Sequence, residues 1–313
     1  MSLSGDQDVG MGEPTRPGIR SWSAEVIPTH SGSGPTVLRI LLGSQLRKLR
    51  EAKGISRDDA GYRIRASGSK ISRLELGRVS FKERDVTDLL DLYGVTDPAE
   101  REALVALARE ANSPAWWQKY SDVVPDWFQI YVGLEEAAEL IRVYEVQFVP
   151  GLLQTEEYTR AVVHQGQPGA PPDEVDRRVA LRMRRQQLLT RPNAPRLWAV
   201  VDEAALRRPL GGKEVMRGQI EHLMAAAKKP NITLQVLPFG FGGHAAEGGA
   251  FTIMRFPEAD MTDIVYIEQL TGALYLEKRE DVERYSEVME RLSVKGTSPE
   301  RTQDILASML EEM

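Results

Sequence analysis

From residue 36 to about residue 111 the apolar positions fall in short runs of helical period. Leu42, Leu46 and Leu49 stand at i, i+4 and i+7, and the run closes at Gly54, which predicts a first helix. Ser56 suits the cap of a second helix, with Asp59 as a weak capping-box partner, and that helix buries Ala60 and Ile64. Ser67 suits the cap of a third, which buries Ile71 and Leu74 and stops at Gly77. Val86, Leu89, Leu90 and Tyr93 give a fourth. Asp97 as cap, Pro98 in the first turn and Glu100 behind it open a fifth, which runs to about Ala111.

Ser113-Pro114 marks a boundary, and Trp116, Trp117, Trp127 and Phe128 follow as an aromatic joint. Residues 134–145 read as helical, broken by Val149-Pro150-Gly151, and residues 155–165 and 173–190 as two further helices. Past Pro195 the pattern changes. Arg196–Val201, Ile232–Leu237, Phe251–Phe256 and Ile264–Gln269 are short and rich in β-branched and aromatic residues, which predicts strands. Helices at 213–228, 280–293 and 299–311 alternate with them. Residues 1–35 hold sixteen Gly, Ser or Pro and no periodicity, as expected of a disordered tail. The fold class is therefore multidomain: an all-α, five-helix N-terminal domain over 36–112 and a mixed α+β domain over 113–313.

Composition narrows the function. The absence of cysteine excludes a disulfide scaffold and thiolate chemistry. No apolar run reaches the roughly 18–20 residues a membrane span needs, and no signal peptide opens the chain, so a cytoplasmic protein is expected. The net charge of −6 hides an asymmetry. Between Thr36 and Val79 eleven Lys/Arg stand against four Asp/Glu, leaving 29 basic and 42 acidic residues elsewhere. A basic module joined to an acidic one is what a chain needs when only one part meets phosphates.

The second and third helices, Ser56–Ile64 and Ser67–Leu76, have the length and spacing of a helix-turn-helix. Close crossing needs a small residue, and Gly61 supplies it. The third helix buries Ile71 and Leu74 and exposes Gly68, Ser69, Lys70, Ser72 and Arg73, a face that is small or basic. Arg73 is the natural base reader, because its fork matches guanine O6 and N7. Helix N-termini offer N–H groups to phosphates, with Arg57 at one and Arg78 just past the third helix. Lys70 reads equally as a phosphate contact or a solvated lysine. The bland alternative for the whole module is a helical bundle that binds protein.

Leu42–Gly54, Ser56–Gly61 and Ser69–Arg78 together resemble the phage-repressor/Cro type of helix-turn-helix, the XRE family. That resemblance implies an ion pair between Arg50 and Glu75, and DNA contacts at Arg57, Ser67, Gly68, Ser69 and Arg73. One departure stands out. The family's turn carries Gly where this chain has Arg65, so a differently shaped turn is expected, since a left-handed backbone strains arginine.

Glu145–Tyr158, Arg177-Arg178, Arg182–Gln186, Val201–Gly211, Pro230–Pro238 and Tyr266-Ile-Glu268 resemble the C-terminal domain of unknown function in Scr-type, antitoxin-like transcriptional regulators of actinobacteria. This resemblance spans roughly residues 115–311 and implies regulation and partner binding, with no reaction attached. Gly240–Ala245 formally fits G-x-G-x-x-A but lacks a following helix, so a flexible hairpin loop is expected there, not a cofactor site. His30, His164, His222 and His244 are scattered, which argues against a metal, and no cofactor is expected. Asp202-Glu203 reads first as a helix cap and second as a carboxylate pair with Glu268. The arginines of Arg177–Arg185 read first as partners of acidic surface and second as a phosphate face. Pro150–Thr155 reads as packing at the domain interface or as the lining of a groove.

The expected function is a sequence-specific regulator that binds double-stranded DNA, at a palindromic operator, as a homodimer. Its larger domain would dimerise, sense a partner protein or ligand, or both. The alternative is an antitoxin-like module that sequesters a small partner protein encoded nearby and binds DNA only for autoregulation. A third reading makes the larger domain an enzyme relying on Glu203 and Glu268.

Overall fold

The computed structural model describes residues 34–258 and 261–313; apart from Gly34 and Pro35, the tail expected over 1–35 lies outside them. Five helices come first: α1 (Pro35–Ala52), α2 (Arg57–Arg63), α3 (Gly68–Glu75), α4 (Glu83–Tyr93) and α5 (Pro98–Ala111). Their caps are those the sequence offers. Ser56 Oγ accepts from Asp59 N–H at 3.1 Å, Ser67 Oγ from Lys70 N–H at 3.3 Å and Asp97 Oδ1 from Ala99 N–H at 3.1 Å. Leu42, Leu46, Ala60, Ile64, Ile71, Leu74, Val86, Leu90 and Tyr93 close one core.

The larger module follows with α6 (Asp126–Ala137), β1 (Leu140–Glu145), α7 (Glu156–Gly166), α8 (Pro172–Gln186), β2 (Arg196–Asp202), α9 (Glu203–Arg207), α10 (Lys213–Ala226), β3 (Ile232–Leu237), β4 (Phe251–Arg255), β5 (Ile264–Gln269), β6 (Gly272–Leu276), α11 (Arg279–Lys295) and α12 (Pro299–Glu311). The strands form one sheet in the order β3-β2-β1-β4-β5-β6. β1, β2 and β3 run parallel, whereas β1–β4, β4–β5 and β5–β6 pair antiparallel. Side chains alternate between two cores, as strand geometry requires. Ile141, Val143, Leu197, Ala199, Val201, Leu234, Val236 and Met254 enter the larger core, shared with α6, α10 and α12. Tyr144, Val200, Leu237, Phe251, Ile253, Val265 and Ile267 face α11 through Met289 and Leu292.

Two strands depart from the sequence reading. The helix expected over 134–145 ends at Ala137, and residues 140–145 are strand β1, the hub of the sheet. Leu134, Ala138 and Ile141 do share helical spacing, but Leu140–Glu145 joins both β2 and β4 by ladder bonds. β6 was not anticipated, because Gly-Ala-Leu-Tyr-Leu is short and half exposed. The glycine-rich segment after β3 is also no hairpin. β3 and β4 are separated in the sheet by β2 and β1, so residues 238–250 cross from one strand to the other. The Pro150–Thr155 segment packs inside the larger module, with Leu152 and Leu153 in its core and Gln186 Nε2 bonded to Gly151 O at 3.0 Å.

α1 belongs to both modules. Leu38, Leu42 and Leu46 enter the helical core, whereas Val37 and Leu41 enter the larger core beside Tyr131 and Leu134. Backbone approaches on both sides are too close for any side chain. A Cβ on Gly43 would lie 2.4 Å from Leu74 O, and one on Gly77 2.8 Å from Ile40 Cα. On the other flank, a Cβ on Gly133 would lie 2.6 Å from Thr36 Cβ.

Candidate nucleic-acid interface

α2 and α3 meet at two glycines, Gly61 against backbone and Gly68 against the end of the Asp58 side chain. A Cβ added to Gly61 would sit 2.7 Å from Ala66 O, and one added to Gly68 would sit 2.2 Å from Asp58 Oδ1. Gly61 thus fits the turn as the sequence suggests. Gly68 lies at the α2–α3 contact, and it presents only backbone outward. The turn keeps the left-handed backbone after all: Arg65 has φ +55°. The expectation of a different turn is corrected; the strain is tolerated by bonds from Arg65 N–H to Tyr62 O and from Ala66 N–H to Gly61 O. The Arg65 side chain is exposed, adding a cation beside α3.

The end of α3 is tied to α1 by a buried ion pair. Arg50 donates to both oxygens of Glu75, from Nε to Oε1 and from Nη2 to Oε2 at 3.1 Å, and its Nη1 bonds Ile55 O at 2.8 Å. The Glu75 hydrogen bond raises the Arg50 pKa against the opposing effect of burial. Arg57 Nε reaches Glu75 Oε2 at 3.1 Å, so this candidate contact is braced at the N-terminus of α2 while nearly half of its side chain stays exposed. Lys70 is more than a solvated lysine: its Nζ pairs with the buried Asp85 carboxylate at 2.9 Å and pins α3 to α4.

The outward face of α3 retains Ser67, Ser69 and Arg73, all exposed, with Ser72 half-buried. Ser67 is committed to its cap. Arg73 makes no side-chain hydrogen bond or ion pair among the described residues. Arg78 is exposed just past α3, where the larger module's Glu277 lies in its field; burial pushes the Glu277 carboxyl up, and Arg78 and Arg47 pull it back. Sequence reasoning missed Tyr62, 88% exposed on α2. A large aromatic on the solvent side of Ala60 and Ile64 was the signal for it.

The remaining chemistry lies at the C-terminal ends of β1, β2 and β5. Asp202 caps α9, with Oδ1 accepting from Ala204 N–H at 2.8 Å. Glu203 does not join Glu268: it accepts from Phe239 N–H at 2.9 Å and pairs with Arg207, while Glu268 accepts from Tyr266 Oη–H at 2.8 Å. Tyr144 Oη lies 3.2 Å from His244 Nε2 and 3.4 Å from Asp202 Oδ2, tying the glycine-rich crossing to the strand ends. The α8 arginines pair within the same module: Arg182 with Gln154 and Arg185 with Glu135 in its interior, Arg178 with Glu174 half-buried, and Arg177 with Asp122 at the surface, while Arg184 stays exposed. Among the described residues no group of three or more His, Asp or Glu is placed to hold a metal, and no helix is long and apolar enough to cross a membrane.

The carboxyl of Glu145, at the end of β1, makes no hydrogen bond among the described residues. Burial pushes its carboxyl from an ordinary 4.5 up to about 8, helped by Glu268 and opposed by Arg182. Between those values the folded protein keeps a proton that the unfolded chain releases, so stability falls as pH rises through that window. Glu145→Gln is expected to flatten this slope in melting curves recorded from pH 5 to pH 8. Equal slopes in both proteins would rule the assignment out.

A short capped helix, a left-handed turn and a second capped helix that presents an exposed arginine define a helix-turn-helix protein of the DNA-binding kind. Residues 41–104 match the family model described as a helix-turn-helix domain. Residues 128–308, more than half of the chain, match the model described as a domain of unknown function (DUF5753), and the protein belongs to that family. No curated protein and no solved structure gives a match.

Proposed function

We propose that the protein is a sequence-specific, cytoplasmic transcriptional regulator of the XRE kind, related to the Scr-type actinobacterial regulators. α3 enters the major groove of double-stranded DNA, and the DUF5753 module joins two copies or senses a partner. The observation that carries this reading is the guanidinium of Arg73, exposed on α3 and unpaired among the described residues, between braced or exposed arginines at 57, 65 and 78. Arg73 supplies base readout; Ser69 and Ser72 allow close approach; Arg57, Ser67, Gly68 and Arg78 meet the phosphate backbone. Lys70 is assigned to the Asp85 brace.

The test is a salt-titrated binding assay on the DNA upstream of the protein's own gene. Arg73→Ala is expected to lose about 1–3 kcal/mol of discrimination, on the order of tenfold to a hundredfold, and to bind specific and competitor DNA more alike. Wild-type protein that prefers no sequence at any salt would remove the proposal. The excess of acidic residues outside Thr36–Val79 favours a second reading, in which the larger module sequesters a small basic protein and DNA binding serves autoregulation. Co-purification of such a protein with the full chain, abolished by high salt, would separate the two.

A further inference from the structure

The two edges of the sheet are treated differently. At the β3 edge, Val236 is closed off on its outer side. Thr297 N–H donates to Val236 O at 2.9 Å and Thr297 Oγ1 accepts from Val236 N–H at 3.0 Å, while Gln235 Nε2 bonds Ser293 O and Thr297 O at 3.0 Å. The β6 edge has no such cover. Gln269 and Gly272 flank the two-residue turn Leu270-Thr271 and form a hydrogen-bonded pair, so Leu274 and Leu276 also bond inward to Ile267 and Val265. The main-chain groups of Ala273 and Tyr275 therefore point away from the sheet, and they bond nothing else among the described residues.

Exposed edges invite pairing, and chains commonly guard them with charge, proline or a covering segment. Here Leu270 to Leu276 holds no charged residue and no proline. Leu270 is fully exposed and Leu274 is 52% exposed.

We infer that β6 pairs antiparallel with β6 of a second copy, giving one sheet that runs through a twofold dimer. The register follows from the outward groups. Ala273 exchanges both bonds with Tyr275 of the second copy, and Tyr275 with Ala273, which puts the axis at Leu274. Each Leu274 then faces its mate in a non-hydrogen-bonded pair, where Cβ atoms lie about 4.5–5.5 Å apart, and both are buried. Charge fits a second copy of this chain. The twofold sets only the axial residue against its own copy, and in this register that residue is the uncharged Leu274, while Glu277 meets Thr271 and Lys278 meets Leu270, so no like charges oppose each other. The inference deepens the two-copy part of the proposed function by naming its surface.

The test is the mass of the full chain in solution, by light scattering across a concentration series. Wild type is expected to be a dimer. Leu274→Lys and Leu274→Glu are each expected to weaken self-association at least tenfold with the far-ultraviolet circular dichroism of the folded chain unchanged, because position 274 is exposed in the single copy. Mixing the two variants is expected to restore the dimer through opposite charges at the axis. Ala273→Pro, which removes an outward N–H that an edge strand does not use, is expected to give monomer. A monomeric wild type, or a dimer untouched by the Leu274 variants, would overturn the inference. A monomeric wild type that still selects its operator would sink this surface and leave the regulator standing. A dimer dissolved by Leu274→Lys without any DNA preference would do the reverse.

Discussion

Glu75→Ala is expected to lower the unfolding free energy by about 3–5 kcal/mol, a large part of the roughly 5–15 kcal/mol that holds a typical domain. The reason is what remains behind. Arg50 is buried and uses two of its nitrogens on the Glu75 carboxylate. Without that partner a full positive charge stays out of water, bonded only to Ile55 O and to the exposed Glu51. Arg57 loses its brace in the same step. Urea unfolding followed by circular dichroism gives the number. A loss below about 1 kcal/mol would mean that Arg50 reaches solvent. Operator binding should weaken even where the variant is fully folded, because the end of α3 is then fixed to α1 by packing alone.

The second large effect is expected in the other module. Glu135 and Arg185 are both buried and joined by two bonds, at 2.7 and 2.8 Å. The arginine lies over the rings of Phe128 and Tyr131, with centroids 5.0 and 5.3 Å away. Burial alone would lower its pKa; Glu135 outweighs that and raises it. Glu135→Ala again strands a buried charge and is expected to cost about 3–5 kcal/mol. The double variant Glu135→Leu, Arg185→Met is expected to return to within about 1 kcal/mol of wild type or to exceed it, because two desolvated charges then give way to apolar packing. A double variant as unstable as the single one would show that the pair fixes the α6–α8 geometry in a way that packing cannot replace.

The parts of this molecule that were legible in its sequence are those with local causes. Ser56, Ser67 and Asp97 announce α2, α3 and α5 because a cap acts within three residues. The β-branched and aromatic runs Ile232–Leu237 and Ile264–Gln269 announce β3 and β5 because such side chains suit a pleated, buried surface. β1 is hidden because Leu134, Ala138 and Ile141 satisfy a helical spacing as well, and a segment as short as Leu140–Glu145 fits either period. Its strand character comes from neighbours more than fifty and a hundred residues away, at Arg196–Val201 and Phe251–Arg255. The candidate site divides in the same way. The faces of α3 follow from helical period, so Arg73 could be placed outward at once. Lys70 could not be assigned, because its partner Asp85 lies on another helix and nothing local marks the pair. Arg50 and Glu75 came only through family likeness, and Glu135 with Arg185 not at all.

The helix common to both cores gives the molecule a mechanical property that neither module has alone. Val37 and Leu41 are gripped by the larger module, while the backbone of the same helix touches α3 at Gly43 and the residue past its end at Gly77, with no side chain between to absorb a displacement. α1 is therefore a lever with its short arm in the sheet module. α6 and α3 are thus both packed directly on one helix, and neither can shift without repacking it.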